Sequence, residues 1–340
     1  MNRERFRIPV TFTRRRLLKA LSAAGAAGIT GAPQLLTAAE ALETTSVRLT
    51  SDRSICIAPM LVLEELLRAE GFTDVHFVEI PASVSPALAN AGVDFHSMTP
   101  WWLATRIDSG DPSRRVTTLA GMHIGCFELF ARESIRGVAD LKGKSVGLQS
   151  ASPLLLSLMA AHVGLNPKED LRWVTDPALK PIELFAEGKI DAFFGFPPEP
   201  QELRARHAGH VILNTTLDRP WSQYFCCMLA GNSEYVRKYP VATKRVLRAV
   251  LKAADFCANE PGRAAQRLVD GGFTPRYDYA FETLSDIPFA KWRDYDAEDS
   301  IRFYALRMRD ADMIKSSPQK IIAEGADWRF FDELKRELKA

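Results

Sequence analysis

The sequence predicts an α/β protein of two lobes joined by two crossovers. Three observations predict it. Short apolar runs alternate with helix-patterned segments, the signature of parallel sheets flanked by helices. The length of 340 residues exceeds the roughly 250–300 residues at which a single core stops growing. Apolar runs ending near Ala131 and beginning near Tyr224 leave one alternating unit and return to it. With 46% hydrophobic and 25% charged residues, the chain is globular in composition, which excludes disordered, collagen-like and disulfide-dense classes. A formal net charge of +2 gives no field for nucleic acid.

The charge is lopsided. Residues 1–41 carry seven Arg/Lys and only Glu4 and Glu40 as acids. Arg14-Arg15-Arg16 precedes a small-residue apolar stretch, and Ala39-Glu40-Ala41 gives the small-x-small pattern of a cleavage site. This layout predicts an export signal, and the paired arginines mark a twin-arginine address. Gly25, Gly28, Gly31 and Pro33 weaken the alternatives of an amphipathic helix or a membrane anchor. Cleavage near Ala41 leaves 299 residues in the periplasm and moves the net charge from +2 to −3. No later stretch reaches the roughly 18 apolar residues of a membrane span.

The first lobe is expected over 42–131 and 225–340, the second over 132–224. In the first, 47–50 is a strand ending in Ser51-Asp52-Arg53-Ser54. Pro59 opens one helix to Glu70, with Leu63, Leu66 and Leu67 on one side and a Glu64/Arg68 pair outside. A strand at 75–80 follows. Ser85-Pro86 starts a short helix that Gly92 closes. The strand 93–97 runs into Met98-Thr99-Pro100-Trp101-Trp102, read as an aromatic loop. Strands at 116–122 and 126–131 leave the lobe.

In the second lobe, Asp140 to Lys144 leads into a strand at 145–148. Ser152 caps a helix over 153–163. Strands at 171–174 and 190–195 flank a helix at 182–187. Phe196-Pro197-Pro198-Glu199-Pro200 is an exit loop before a helix at 201–208 and a strand at 211–214. The run 224–230 crosses back. The remainder reads as helices at 233–239, 241–259, 262–269, 299–309, 317–324 and 330–338.

The run from Ile135 to Gly147, with Asp140-Leu141-Lys142-Gly143-Lys144 at its centre, resembles the I-x-x-x-x-D-L-K-G-K-x-V-G segment of ABC-importer solute-binding proteins. Gly188-Lys189-Ile190-Asp191-Ala192 resembles a second family element, and Gly92-Val93-Asp94-Phe95 is similar to it in the first lobe. The helix at 241–259 and Glu260-Pro261-Gly262-Arg263 also resemble the family's C-terminal pattern. Within these proteins the segments resemble the nitrate/sulfonate/taurine group, with an NMT1/THI5-like, SsuA-like domain. It implies a periplasmic-binding-protein type II fold that closes on ligand like a hinge.

That geometry puts ligand at the strand-to-helix loops. Arg53 offers a fork that matches two anionic oxygens, with Ser54 beside it. Thr99, Trp101 and Trp102 lie in the aromatic loop, where at least one Trp is expected to line the cleft. Glu128 either accepts hydrogen bonds from ligand or serves a structural ion pair. Gln149, Ser150 and Ser152 precede a helix start, where free N–H groups suit anions. Phe196 and Glu199 lie in a proline-stiffened loop, and Tyr224 at the return crossover. His96 and His123 lie near these segments but read as structural.

The five cysteines show no CxxC and no zinc-ligand spacing, so they read as buried small residues. No catalytic set, P-loop, cofactor fingerprint or metal site is found. The expectation is a monomeric, non-enzymatic binding component that captures a small organic solute and delivers it to an ABC permease in the inner membrane. A sensor that reports to a receptor reads the same in sequence. The alternative is a thiamine-pyrimidine synthase-like enzyme, or a binding protein for a thiamine-pyrimidine precursor. Such enzymes, by resemblance, require iron, consume pyridoxal phosphate and carry a C-C-C-F-C motif. Tyr224-Phe225-Cys226-Cys227-Met228 departs from that motif.

Overall fold

The computed structural model describes residues 40–51, 54–79, 92–110 and 116–338. The expected export signal, Arg53 and the Ser85-Pro86 cap lie outside these residues.

Ten strands form among the described residues: β1 (Ser46–Ser51), β2 (Asp74–Glu79), β3 (Phe95–Met98), β4 (Val116–Ile124), β5 (Glu128–Ala131), β6 (Lys144–Gly147), β7 (Leu171–Val174), β8 (Ala192–Gly195), β9 (His210–Asn214) and β10 (Phe225–Asn232). They make two five-stranded sheets, in the orders β2-β1-β3-β10-β4 and β7-β6-β8-β5-β9. In each sheet the first three strands are parallel, and a strand adjoining a crossover enters antiparallel. The chain passes from the first sheet to the second between Ile124 and Glu128, and returns between Asn214 and Phe225. The first passage falls before β5, earlier than the boundary read at Ala131. Gly125, at φ +72°, turns the chain between the two expected strands, and the second of them, β5, already pairs in the second sheet.

Two other readings differ. The helix expected from Pro59 to Glu70 is two, Ala58–Leu61 and Glu64–Ala69, with the Arg68–Glu64 pair at 2.7 Å on the second. The segment 98–102 is not a loop. Thr99 caps the helix Pro100–Asp108, its hydroxyl accepting from Trp102 N at 3.4 Å, with Pro100 at the first helical position. A helix at Tyr277–Asp286 was not foreseen.

One core runs continuously from the first sheet through the crossovers into the second, and a smaller cluster around Phe185, Phe193 and Leu203 covers the second sheet's other face. The long helix Pro240–Asn259 buries Val246, Leu247, Val250 and Leu251, at the spacing of one helical face. On its polar side Arg248 and Lys252 hold Glu70 at 2.9 and 3.1 Å. No described helix is long and apolar enough to cross a membrane.

Candidate functional site

The register points both sheets at the crossovers. Met98, ending β3, pairs with Met228 near the start of β10, and Phe225 pairs with Ile124. In the second sheet Glu128, opening β5, faces Gly195 at the end of β8 and Asn214 at the end of β9. The carboxyl ends of parallel strands are where open α/β sheets gather ligands. The crossovers are bonded to one another. Phe127 N donates to Thr215 Oγ1 and Thr215 N to Phe127 O, both at 2.9 Å. Cys126 N donates to Thr216 Oγ1 at 3.1 Å.

Glu199 is the most chemically distinctive of the expected residues. It opens the helix Glu199–Ala205 and is 5% exposed. Its Oε1 accepts from Ser150 N at 3.1 Å, which joins the β6 and β8 loops. Its Oε2 is buried and has no partner among the described residues. Gly195 leaves room for that oxygen, since a Cβ there would sit 2.3 Å from it. Burial pushes the carboxyl up to about 7, more than the Ser150 and Phe196 hydrogen bonds offset. Near neutral pH the group is populated both as acid and as carboxylate, so Oε2 can donate or accept.

Around it, Gln149 and Ser150 are exposed, and Ser152 caps the helix Pro153–His162 by accepting from Leu154 N at 3.2 Å. Phe196 is half-buried and meets Phe127 edge-on at 5.4 Å. Phe127 stacks on Phe194 at 5.2 Å and meets Trp101 at 5.9 Å, so aromatic rings run from one sheet to the other. Trp101 itself is 2% exposed, packed against Tyr304, and is core; Trp102 remains half-buried. The helix that replaced the expected loop explains the split, because adjacent helical residues point about 100° apart. Tyr224 stacks flat on Phe303 at 3.8 Å, and Ser54 is half-buried before the turn Ile55–Ile57.

Glu128 belongs to an ion pair. Arg204 Nη1 donates to its Oε2 at 2.5 Å, while Arg204 Nε donates to Glu282 at 2.7 Å. Burial still raises the Glu128 carboxyl above its ordinary range, outweighing Arg204. Arg204 escaped the sequence reading because its partners lie 76 and 78 residues away. His96 is buried on β3, and desolvation with Arg106 nearby lowers it to about 3, so it stays neutral. The cysteines are more than scattered small residues: Cys56, Cys126, Cys226 and Cys227 converge around His123. A cavity of about 330 Å³ lies at the far end of the first sheet, beside the Arg48–Asp94 pair, and none of the expected site residues lines it.

Two five-stranded sheets, joined by two crossovers at the carboxyl ends of their parallel strands, define the periplasmic-binding-protein type of α/β fold. Solved structures share it. The periplasmic nitrate-binding protein NrtA from Synechocystis has TM-score 0.68 at 14% identity, covering 88% of this chain and 90% of that one. The alkanesulfonate-binding protein SsuA from Xanthomonas axonopodis, bound to MOPS, has TM-score 0.67 at 15% identity, covering 85% and 100%. Residues 73–264 match the NMT1/THI5-like family model, and the chain belongs to that family. Among curated proteins it is similar to the nitrate import ATP-binding protein NrtC of Synechocystis, 24% identical over 65% of this chain and 36% of that one. It is also similar to a putative binding protein of Brucella abortus, 26% identical over 39% and 42%, and to the bicarbonate-binding protein CmpA of Synechococcus, 25% identical over 32% and 24%. The chain thus matches less than half the length of these relatives.

Proposed function

We propose that this protein is the substrate-binding component of an ABC importer, exported by the twin-arginine route with cleavage near Ala41 and working as a monomer in the periplasm. Its two lobes, one built on each five-stranded sheet, close on a small organic solute, and the closed form docks on the inner-membrane permease. The family match and the fold support this reading. The observation that carries it is Glu199: a buried carboxyl with one unpartnered oxygen, at the crossover-facing end of β8, next to exposed Ser150 and Gln149.

The solute has a polar end and an apolar part. The polar end meets Glu199, Ser150, Gln149 and the helix start at Pro153, which favours negative charge. The apolar part meets Phe196 and Trp102, with Thr99, Ser54 and Tyr224 around it. The relatives' nitrate, bicarbonate and alkanesulfonate ligands share the anionic end. The aromatic lining favours an organic member of that series over a bare inorganic ion. No catalytic step is assigned.

The test is a thermal-shift screen of purified protein against nitrate, bicarbonate, alkanesulfonates and aromatic sulfonates or carboxylates. Saturable stabilisation by an organic anion, lost in E199A, supports the reading. Stabilisation by none of them, or stabilisation unaffected by E199A, overturns this site.

A further inference from the structure

Four of the five cysteines and one histidine, drawn from four separate segments, meet at the base of the crossovers. Cys56 comes from the turn after β1, His123 from the end of β4, Cys126 from the first crossover, and Cys226 and Cys227 from the start of β10. The Cys126 and Cys226 Sγ atoms are 3.5 Å apart, and those of Cys226 and Cys227 are 3.6 Å apart. Two triads share the histidine: Cys56, His123, Cys126, and His123, Cys226, Cys227. Within each triad the ligand atoms lie within 4.8 Å of one another.

A tetrahedral shell with metal–sulfur bonds near 2.3 Å has sulfur–sulfur edges of about 3.8 Å. The observed separations are within a few tenths of an ångström of that. His123 is fully buried, and its Nδ1 faces Ile124 O at 3.2 Å. The same nitrogen lies 3.7 Å from Cys226 Sγ, so Nδ1 is the imidazole atom that faces the sulfurs. Nε2 has no partner among the described residues. Cys126 is held at φ +87°, a left-handed conformation that non-glycine residues rarely adopt. Phe289 lies edge-on to His123 at 5.5 Å.

We propose that this cluster supplies a four-coordinate thiolate–imidazole site, His123 with three of the four cysteines, Cys226 among them, for one thiophilic d10 cation of the Zn(II) class. Each ligating cysteine gives its proton to solvent as its sulfur–metal bond forms, and no electron is transferred. Cys126 and Cys227, 5% and 6% exposed, are the most accessible members. Loading ties the first crossover to the start of β10, and so stiffens the hinge. The site stands independently of what the cleft binds.

The test is titration of the reduced full-length protein with Co(II), followed by displacement with Zn(II). Equimolar binding with sulfur-to-metal charge transfer and the intense visible bands of tetrahedral Co(II) is expected. Zn(II) is expected to slow alkylation of Cys126 and Cys227 by about tenfold or more without protecting Cys257, which lies buried in the helix Pro240–Asn259 outside the cluster. C226S and H123Q are expected to lose more than the 10–100-fold in affinity typical of outer-shell partners, while C257S binds as the parent does. If C226S fails to fold, the alkylation pattern of the parent protein still decides. Absence of charge transfer with all thiols reduced overturns the site. So does a Cys126–Cys226 disulfide in protein recovered from its native compartment.

Discussion

Asp191 Oδ2 accepts hydrogen bonds from both the backbone N and the Oγ of Ser145, each at 2.7 Å. Asp94 repeats the arrangement in the first sheet, accepting from Arg48 N at 2.8 Å across the same separation of 46 residues. Each aspartate directly precedes an inner strand, β8 or β3, and fastens the parallel neighbour, β6 or β1. The Gly/Asp elements that carry the family resemblance are therefore strand-pairing devices in both sheets, at the strand ends opposite the proposed ligand site. Asp191→Ala is expected to lower unfolding stability by about 1–3 kcal/mol, the cost of stranding those donors. Urea denaturation reads it, and solute affinity is expected to stay unchanged.

Glu199 links stability to pH. Its folded value of about 7 lies above the ordinary value of 4.5, so the folded state holds the proton more tightly. The stabilisation is fully present below about 4.5 and is lost as pH rises through 7. E199Q keeps the neutral shape. The stability of E199Q relative to the parent is expected to rise by about 3 kcal/mol between pH 4.5 and pH 8. Groups common to both proteins, His96 included, cancel in that difference. A difference that does not change with pH would place the carboxyl in water.

Arg204 clasps Glu128 on β5 and Glu282 on the helix Tyr277–Asp286, which follows the return to the first sheet. Breaking one partner of a buried pair typically costs about 3–5 kcal/mol, because the other charge is left without compensation. R204M is expected to fall at the lower end of that range, since Arg204 is 32% exposed. Adding E128Q is expected to recover part of the loss. A double-mutant cycle by calorimetry measures the coupling, and simple additivity would dismiss it.

Gly125 and Gly143 have nearly the same φ, +72° and +73°, but different surroundings. A Cβ at 143 meets nothing within 4 Å, whereas one at 125 sits 2.2 Å from Thr216 Oγ1 and 2.5 Å from its Cα. G143A is expected to cost about 1–2 kcal/mol, the left-handed penalty alone. G125A is expected to cost more and to separate the two crossovers. Comparing their melting temperatures isolates the packing part.

Much of the fold was legible because its signals are local. Ser152 before Pro153 marks a helix start, and the structure forms that cap. The apolar run 224–230 had to cross back, and it became β10. Local signals also misled. Met98 to Trp102 carries a Thr-Pro helix start, but its aromatic content suggested a loop. Ser150 and Glu199 were each named as candidates, yet nothing local shows that one bonds the other.

The sequence by itself determined the α/β class, most of the order of strands and helices, and the loops that reach the strand ends. Those properties depend on hydrophobic period, caps and turn residues a few positions apart. Only the tertiary structure decided that Trp101 is core, that Arg204 takes Glu128, that Glu199 is a buried acid near 7, and that four cysteines surround His123. Those facts depend on burial and on contacts between segments about 50 to 200 residues apart, and no spacing along the chain encodes them.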